Sequence, residues 1–465
     1  MLLRLYFFAL LLLAFMQAAA AVDRSKFRTC KDTLFCRNFR SPESALIAYS
    51  VAPGSVRVDE SRGELACSLT DGLTLTLLTL RSGAIRLRVT EAKGGKERWK
   101  PLDLLEKDAL VSAPFEMLLA SSPKIPENVQ KSQHFSAMAF QEKIILLYHF
   151  PLRVEVYFEG ELLIAVNDRA LMHYELTKSA GEIDLTGNPV ASTEDEGEVD
   201  RHGGKEVKDY GEDGLAIYAD GTKEERRESR ALASSSGAES FGGHTDSKAE
   251  GAKSVGVDVS FPSARHLYGI PQHATSLALP STIPSSAASS KEVPSPRYKE
   301  PYRMYTLDVF EYEVDEPMAL YGNIPLLMAH GLTKNEKSSA SAGVFWFNPS
   351  ETFVDVSDGQ RNESSSSSSL FKESHWMSES GDIDLFLMAT SSPKALSAQF
   401  ASIMGSQQLP PMFALGYHQC RWNYRDQKDV SEVEAKFEEL DFPYDVLWLG
   451  ERFYSTSHYS LIKVN

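Results

Sequence analysis

The chain has 465 residues, 42% of them hydrophobic and 10% aromatic, enough to fill the cores of two or three domains. Its 64 acidic residues outweigh 48 basic ones, and the net charge of -16 repels nucleic acid and excludes it as a partner. With only four cysteines, the fold must rest on buried apolar area rather than on a disulfide scaffold.

Residues 1–21 are expected to be a secretory signal peptide. Arg4 supplies a basic start, Leu5 to Met16 is an unbroken apolar run, and Ala18 to Ala21 offer the small residues a signal peptidase needs. A buried N-terminal helix is the other reading of that run, but it would not call for an A-x-A site at its end. No later segment has the roughly 18 consecutive apolar residues of a membrane helix, so no membrane insertion is expected after cleavage. Cys30 and Cys36 follow in RTCKDTLFCRNF, and an oxidising lumen would let them close a small disulfide loop. Free thiols are an alternative; zinc is disfavoured because no second Cys/His pair of matching spacing is present, so no metal or other cofactor is expected. Cys67 and Cys420 are distant and read as separate buried thiols.

From about 44 to 182 the runs SVRVD, GLTLTLLTL, AIRLRVTEA, KIILLYHF, LRVEVYF and LLIAVN alternate apolar and polar residues between turn signals. Such runs predict half-buried antiparallel strands, in numbers that suit a β-sandwich. GLTLTLLTL is apolar enough for a short helix, yet its threonines and lack of charge favour a strand. Gln141 to Asp168 suggests a pair of hairpins. Residues 189–254 are rich in charge, Gly and Ser, with too little apolar content to offset the entropy of ordering, and read as a disordered, solvated insertion. PSSAASSKEVPSP and RNESSSSSS behave alike, and the second holds Asn362, an N-x-S acceptor for glycosylation. Sheet pattern returns in RMYTLDVFEYEV, MALYGNIPLLMAH, AGVFWFNPSETFVDV and HWMSESGDIDLFLMA. SPKALSAQFASIMG then predicts a short amphipathic helix, and Pro410 and Pro411 mark a boundary.

Past that boundary MFALGYH predicts a strand. DQKDVSEVEAKFEEL predicts a helix capped by Asp426 or Asp429, with Val430, Val433, Phe437 and Leu440 on one face, and YDVLWL predicts a second strand. The result is one βαβ unit, which needs further repeats to cover its edges.

LPPMFALGYHQCRWNYRDQKDVSEVEAKFEELDFPYDVLWL resembles the first β/α unit of the barrel in glycoside hydrolase family 31, in the branch of glucosidase II α subunits. FRTCKDTLFCRNFR, SVGVDVSFPSARHLYGIPQHATSLAL, EPYRMYTLDVFEYEVDEPMALYGNIPLLMAH, GVFWFNPSETFVDV and WMSESGDIDLFLMA resemble it too, in the same order. The resemblance implies a mainly β chain: a galactose mutarotase-like β-sandwich over 22–405, the start of a (β/α)8 TIM barrel over 406–449 and a divergent tail over 450–465. It also implies a retaining exo-α-glucosidase of the endoplasmic reticulum lumen that removes α-1,3-linked glucose from N-glycans, with a non-catalytic β subunit as partner. Retention needs two carboxyl groups roughly 5 to 5.5 Å apart, one ionised and one protonated.

The family's nucleophile lies in a W-x-D-M-N-E type motif that this chain lacks, so no catalytic residue is expected in it. Where the family continues LWL with an Asp, Leu449 is followed by Gly450, as a gene-model or splicing break would produce. Asp308 matches the position at which the family's sandwich sends a carboxylate into the sugar site, and Trp422 matches a tryptophan of the substrate cleft. By pattern alone Asp308 is an outward strand residue and Trp422 a core residue. Tyr268 to His273 form YGIPQH, a loop beside the family's cleft, with Gln272 in place of the usual Glu. Arg421 and Asp445 read as structural, and Glu438 with Glu439 as the solvated end of a helix. A non-catalytic carbohydrate-binding or assembly product is the alternative function, and an α-xylosidase fits YGIPQH less well. The terminal KVN is no K-D-E-L type signal, so retention would need the partner. Limited proteolysis followed by mass spectrometry is expected to cut within 189–254 first; uniform digestion of 22–405 would contradict that division.

Overall fold

The computed structural model describes residues 22, 24–40, 48–92, 98–130, 134–177, 207–210, 216–218, 239–246, 253–284, 296–309, 312–333, 338–361 and 369–449. Residues 1–21, expected to be a signal peptide, most of 189–254, Asn362 and residues 450–465 lie outside them. The chain divides into two compact units, Met1–Met404 and Gly405–Asn465.

The first unit is built mainly from two open antiparallel sheets; within 189–254, expected to be disordered, the described residues add two short antiparallel pairs, Val207–Tyr210 with Ala216–Tyr218 and Glu239–Phe241 with His244–Asp246. One has eight strands in the spatial order Arg57–Asp59, Glu64–Ser68, Leu73–Thr79, Ile85–Glu91, Ile383–Thr390, Ser339–Trp346, Asn323–Leu332 and His266–Pro271. The other runs Tyr302–Met304, Thr352–Arg361, Ser369–Ser378, Val255–Phe261, Glu161–Val166, Leu152–Phe158, Lys143–His149, Phe135–Phe140 and Glu116–Leu118, with His173–Tyr174 paired to Val255–Phe261. Leu73, Leu75 and Leu77 are buried while the threonines between them are half-buried, so GLTLTLLTL is a strand with one face inward. Gln141 to Asp168 forms two hairpins that share the strand Leu152–Phe158.

Other strands are buried along their whole length because both faces are covered. Ile383–Thr390 carries the helix Pro393–Met404 on its outer side, where Leu396 and Ile403 pack with Phe345, Phe386 and Met388. That helix starts at a proline, whose missing N–H costs nothing in a first turn, and Ser392 Oγ accepts from Ala395 N at 3.2 Å. On the other sheet, Cys30, Phe35, Cys36 and Phe39 of an N-terminal cap pack on Phe353 and Met377. Cys30 and Cys36 are joined by a disulfide, S–S 2.02 Å. Arg40 fixes the end of the cap, gripping Asp355 with two hydrogen bonds of 2.9 and 3.0 Å.

Several expectations are corrected. Among the described residues of RMYTLDVFEYEV only Arg303 and Met304 are strand, at the end of Tyr302–Met304; residues 305–309 instead make isolated bonds to the facing stretch, such as Leu307 N to Leu320 O at 2.9 Å. Met412–Leu415 is a 3-10 turn entered from Pro411, and the strand begins only at His418. The helix Gln427–Glu439 ends before Leu440, which is exposed. Cys420 is likewise exposed, in the short strand His418–Arg421. The second unit is otherwise the expected βαβ: His418–Arg421 pairs in parallel with Val446–Leu449, and Asp426 caps the helix by accepting from Asp429 N at 2.8 Å.

Arg86 and Asp384 form a buried bidentate pair on the eight-stranded sheet, at 2.8 and 2.6 Å, with the guanidinium 5.3 Å from the Phe386 ring. Burial pushes the Asp384 carboxyl up, and Arg86 pulls against it. Removing Arg86 leaves the buried Asp384 carboxylate only Arg88, 3.3 Å away and with no bidentate grip, so Arg86→Met is expected to cost about 3 kcal/mol in urea unfolding, and adding Asp384→Leu to recover part of the loss while Arg88 keeps Asp382. An Arg86→Met chain as stable as the parent would contradict the assignment.

Candidate functional site

Asp308 stands on the stretch 305–309 that leaves the edge strand Tyr302–Met304, and its side chain is exposed. It is an outward residue, but not of a strand. Tyr321 Oη donates to Asp308 Oδ1 at 2.5 Å, and that bond to the carboxylate is the main cause that raises the phenol's pKa. Among the described residues Asp308 makes no ion pair.

The facing stretch is tied to YGIPQH. Leu320 N donates to Gln272 O at 2.9 Å, Gln272 N to Gly322 O at 2.7 Å, and Gly322 N to the Gln272 side-chain oxygen at 3.0 Å. Gln272 therefore works as a neutral clamp. His273 Nδ1 lies 2.5 Å from the Pro271 carbonyl oxygen, which places the ring proton on Nδ1 and makes it a satisfied loop histidine. The loop is a bulge: pairing slips between Gly269 and Pro271, Gly269 has φ 108 and Ile270 φ 55. Beyond His273, Ala274 bridges to Glu316, and Asp315 accepts from Tyr298 Oη at 3.0 Å and from Thr275 Oγ1 at 3.2 Å while pairing with Arg297. The Arg297 guanidinium, then Tyr298, holds the Asp315 carboxyl below its usual range. Asp308, Tyr321 and YGIPQH thus form one connected surface, with the exposed rings of Tyr305 and Tyr321 on it.

Trp422 lies in the second unit, 67% exposed in the turn after His418–Arg421, so it is not core. Tyr424 fills that role and is fully buried. Arg421 Nε is turned to Asn423 Oδ1 at 3.0 Å, and Asp445 packs against Gly416 while its N–H donates to Tyr417 O at 3.0 Å. Glu439 is exposed and pairs with Lys436 at 2.7 Å. Asp308 and Trp422 belong to separate units. Tyr321 escaped the sequence reading: it is paired with Asp308 across an irregular turn, and no spacing or motif marks such a pair.

Chemically, an exposed carboxylate steadied at one oxygen keeps acceptor sites for vicinal hydroxyls, and phenol faces suit sugar C–H groups. Residues 74–355 match the glycosyl hydrolase 31 N-terminal galactose mutarotase-like domain, and 407–461 match the glycosyl hydrolases family 31 TIM-barrel domain. The chain belongs to glycoside hydrolase family 31.

Its family 31 relatives include neutral alpha-glucosidase AB of Mus musculus, 34% identical over 94% of this chain and 43% of that protein, and of Dictyostelium discoideum, 32% identical over 95% and 45%. A probable glucan 1,3-alpha-glucosidase of Arabidopsis thaliana is 43% identical over 47% of this chain and 23% of its own. Among solved structures, the ER glucosidase II heterodimeric complex of catalytic subunit and regulatory-subunit binding domain superposes with TM-score 0.68 at 26% identity, over 92% of this chain and 42% of that one. The chain spans less than half the length of the family 31 proteins it matches.

A Cβ on Gly269 would meet Leu326 O at 2.3 Å, in a backbone conformation already unfavourable to L side chains. Gly269→Ala is expected to lower stability by roughly 2 kcal/mol and to disturb YGIPQH, read as a fall in Tm with shifted amide resonances for 268–273. An unchanged Tm would show that the bulge relaxes without strain.

Proposed function

We propose that this chain is the sugar-orienting, N-terminal part of an α-glucosidase of the glucosidase II type, one that trims α-1,3-linked glucose from N-glycans by retaining hydrolysis in the endoplasmic reticulum lumen. The observation that carries it is the ordered match of both family 31 domains on a chain that presents a solvent-facing carboxylate, Asp308, steadied by Tyr321. The names of the relatives, alpha-glucosidases and glucan 1,3-alpha-glucosidases, support the substrate class. In this reading 1–21 is removed as a signal peptide, 22–405 is the sandwich with its insertion at 189–254, 406–449 opens the barrel and 450–465 is a divergent tail. Asp308 and Trp422 bind the sugar, Asn362 carries a glycan, and a β subunit of the kind seen in the heterodimeric relative retains the enzyme. No helix among the described residues is long and apolar enough to cross a membrane.

Retention needs a nucleophile and an acid/base, and this sequence lacks the W-x-D-M-N-E type motif that supplies the first. Asp308 can orient a glucose, but a positioning carboxylate does not form and break a glycosyl-enzyme bond. The second reading is a non-catalytic carbohydrate-binding or assembly product, a sandwich that keeps part of a sugar site. The chain as it stands is expected to release no measurable product from an aryl α-glucoside, while a relative containing the whole barrel does. Turnover by this chain that disappears in Asp308→Asn would overturn the proposal, because it would place a working catalytic carboxylate in the sandwich.

A further inference from the structure

We propose that Tyr321 is a positioning residue for Asp308, and that the pair, gripped from behind by Gln272, forms the recognition unit for the vicinal hydroxyls of a terminal glucose. The inference rests on the reading of Asp308 as a sugar ligand and adds the group that makes it one. A carboxylate on an exposed, irregular stretch samples several rotamers, each of which a sugar would have to select. Tyr321 restricts that choice: its hydroxyl donates to Oδ1 at 2.5 Å, a charge-assisted bond of the short class. The remaining lone pairs of the carboxylate are left to accept sugar hydroxyls.

The phenol can do this only if its own backbone is fixed, and it is held on two sides. Toward Asp308, Leu320 O accepts from Leu307 N at 2.9 Å, Tyr321 O accepts from Thr306 Oγ1 at 3.1 Å, and Asn323 Nδ2 donates to Thr306 Oγ1 at 2.8 Å. Away from it, Gln272 takes both neighbours of Tyr321, bonding Leu320 N through its backbone and Gly322 through backbone and side chain. Gly322 permits the approach, since a Cβ there would lie 3.2 Å from the Gln272 Cβ. Tyr321 itself is 63% exposed, far more than a residue kept for packing requires.

The test titrates an α-1,3-linked glucose disaccharide into the whole chain and follows ligand resonances by NMR, for the parent, Tyr321→Phe, Asp308→Ala and the double variant. Tyr321→Phe is expected to weaken binding about fivefold to tenfold with an unchanged Tm, and to add nothing once Asp308→Ala is present. In parallel, the Tyr321 ring carbon should titrate above the ordinary tyrosine range in the parent and return toward it in Asp308→Ala. If Asp308→Ala weakens binding and Tyr321→Phe does not, the positioning role fails and the sugar site stands. The role also fails if Tyr321→Phe weakens the parent and the Asp308→Ala chain equally. If the parent does not bind, or Asp308→Ala binds as well as the parent, the site reading falls and takes this inference with it.

Discussion

The stacked pair Trp346 and Trp376 is the contact on which the first unit is organised. One ring comes from the eight-stranded sheet and the other from the ten-stranded sheet, both fully buried, with centroids 5.7 Å apart and planes 22° from parallel. Each indole N–H is satisfied close by, Trp346 by Ser378 Oγ at 2.9 Å and Trp376 by Ser374 Oγ at 3.1 Å, so the rings bury large apolar area without stranding a donor. A one-residue slip of either strand would turn its indole to the opposite face. The stack therefore sets the register between layers, and with it the edge from which Asp308 departs.

From that edge outward the structure becomes progressively less regular, and side chains replace ladders as the means of support. Arg303, on the edge strand, ties Glu351 at 2.7 Å to the cap carbonyl of Arg28 at 3.0 Å, and Glu300 just before the strand accepts from Cys30 N at 3.1 Å. The N-terminal cap and its disulfide thus sit directly behind the start of the stretch that carries Asp308. Arg24 extends the same support by pairing with Glu313 and Glu316. Asp308 rests on a foundation of ion pairs and single hydrogen bonds. Its geometry is specified by chemistry at several points rather than by one continuous ladder.

A strand with one wet face was legible in the sequence because alternation is a local property, as in Leu73–Thr79; the runs between Lys143 and Val166 are strands too, but buried at most positions rather than on alternate ones. The same rule overreached where local apolarity was spent on something else. Residues 305–309 have strand-like composition, yet their backbone groups bond a neighbouring irregular stretch. MFALGYH has the apolarity of a strand, but Pro411 sets a turn first. Of the candidate site, Asp308 and YGIPQH were found only through resemblance, since a lone exposed carboxylate carries no pattern of its own. Tyr321 was out of reach by either route, because its importance lies in one hydrogen bond made through tertiary structure.

Arg98 ties together the two ends of the segment between residues 177 and 253. Its guanidinium donates to Lys253 O at 2.9 Å, to Gly381 O at 2.7 Å and to the Glu175 carbonyl, lies 4.4 Å from the Tyr174 ring, and is held by Glu91. Ser254 N and Oγ close the join by donating to Glu175 Oε2 at 2.9 and 2.7 Å. With the entrance and exit already fixed side by side, the contour length between them costs little: each doubling of a flexible loop adds only about 0.6 kcal/mol. The sandwich is thereby a tolerant host. Through such a neck, sequence can lengthen, shorten or be replaced by a foreign domain with neighbouring termini while the sheets on either side keep their register.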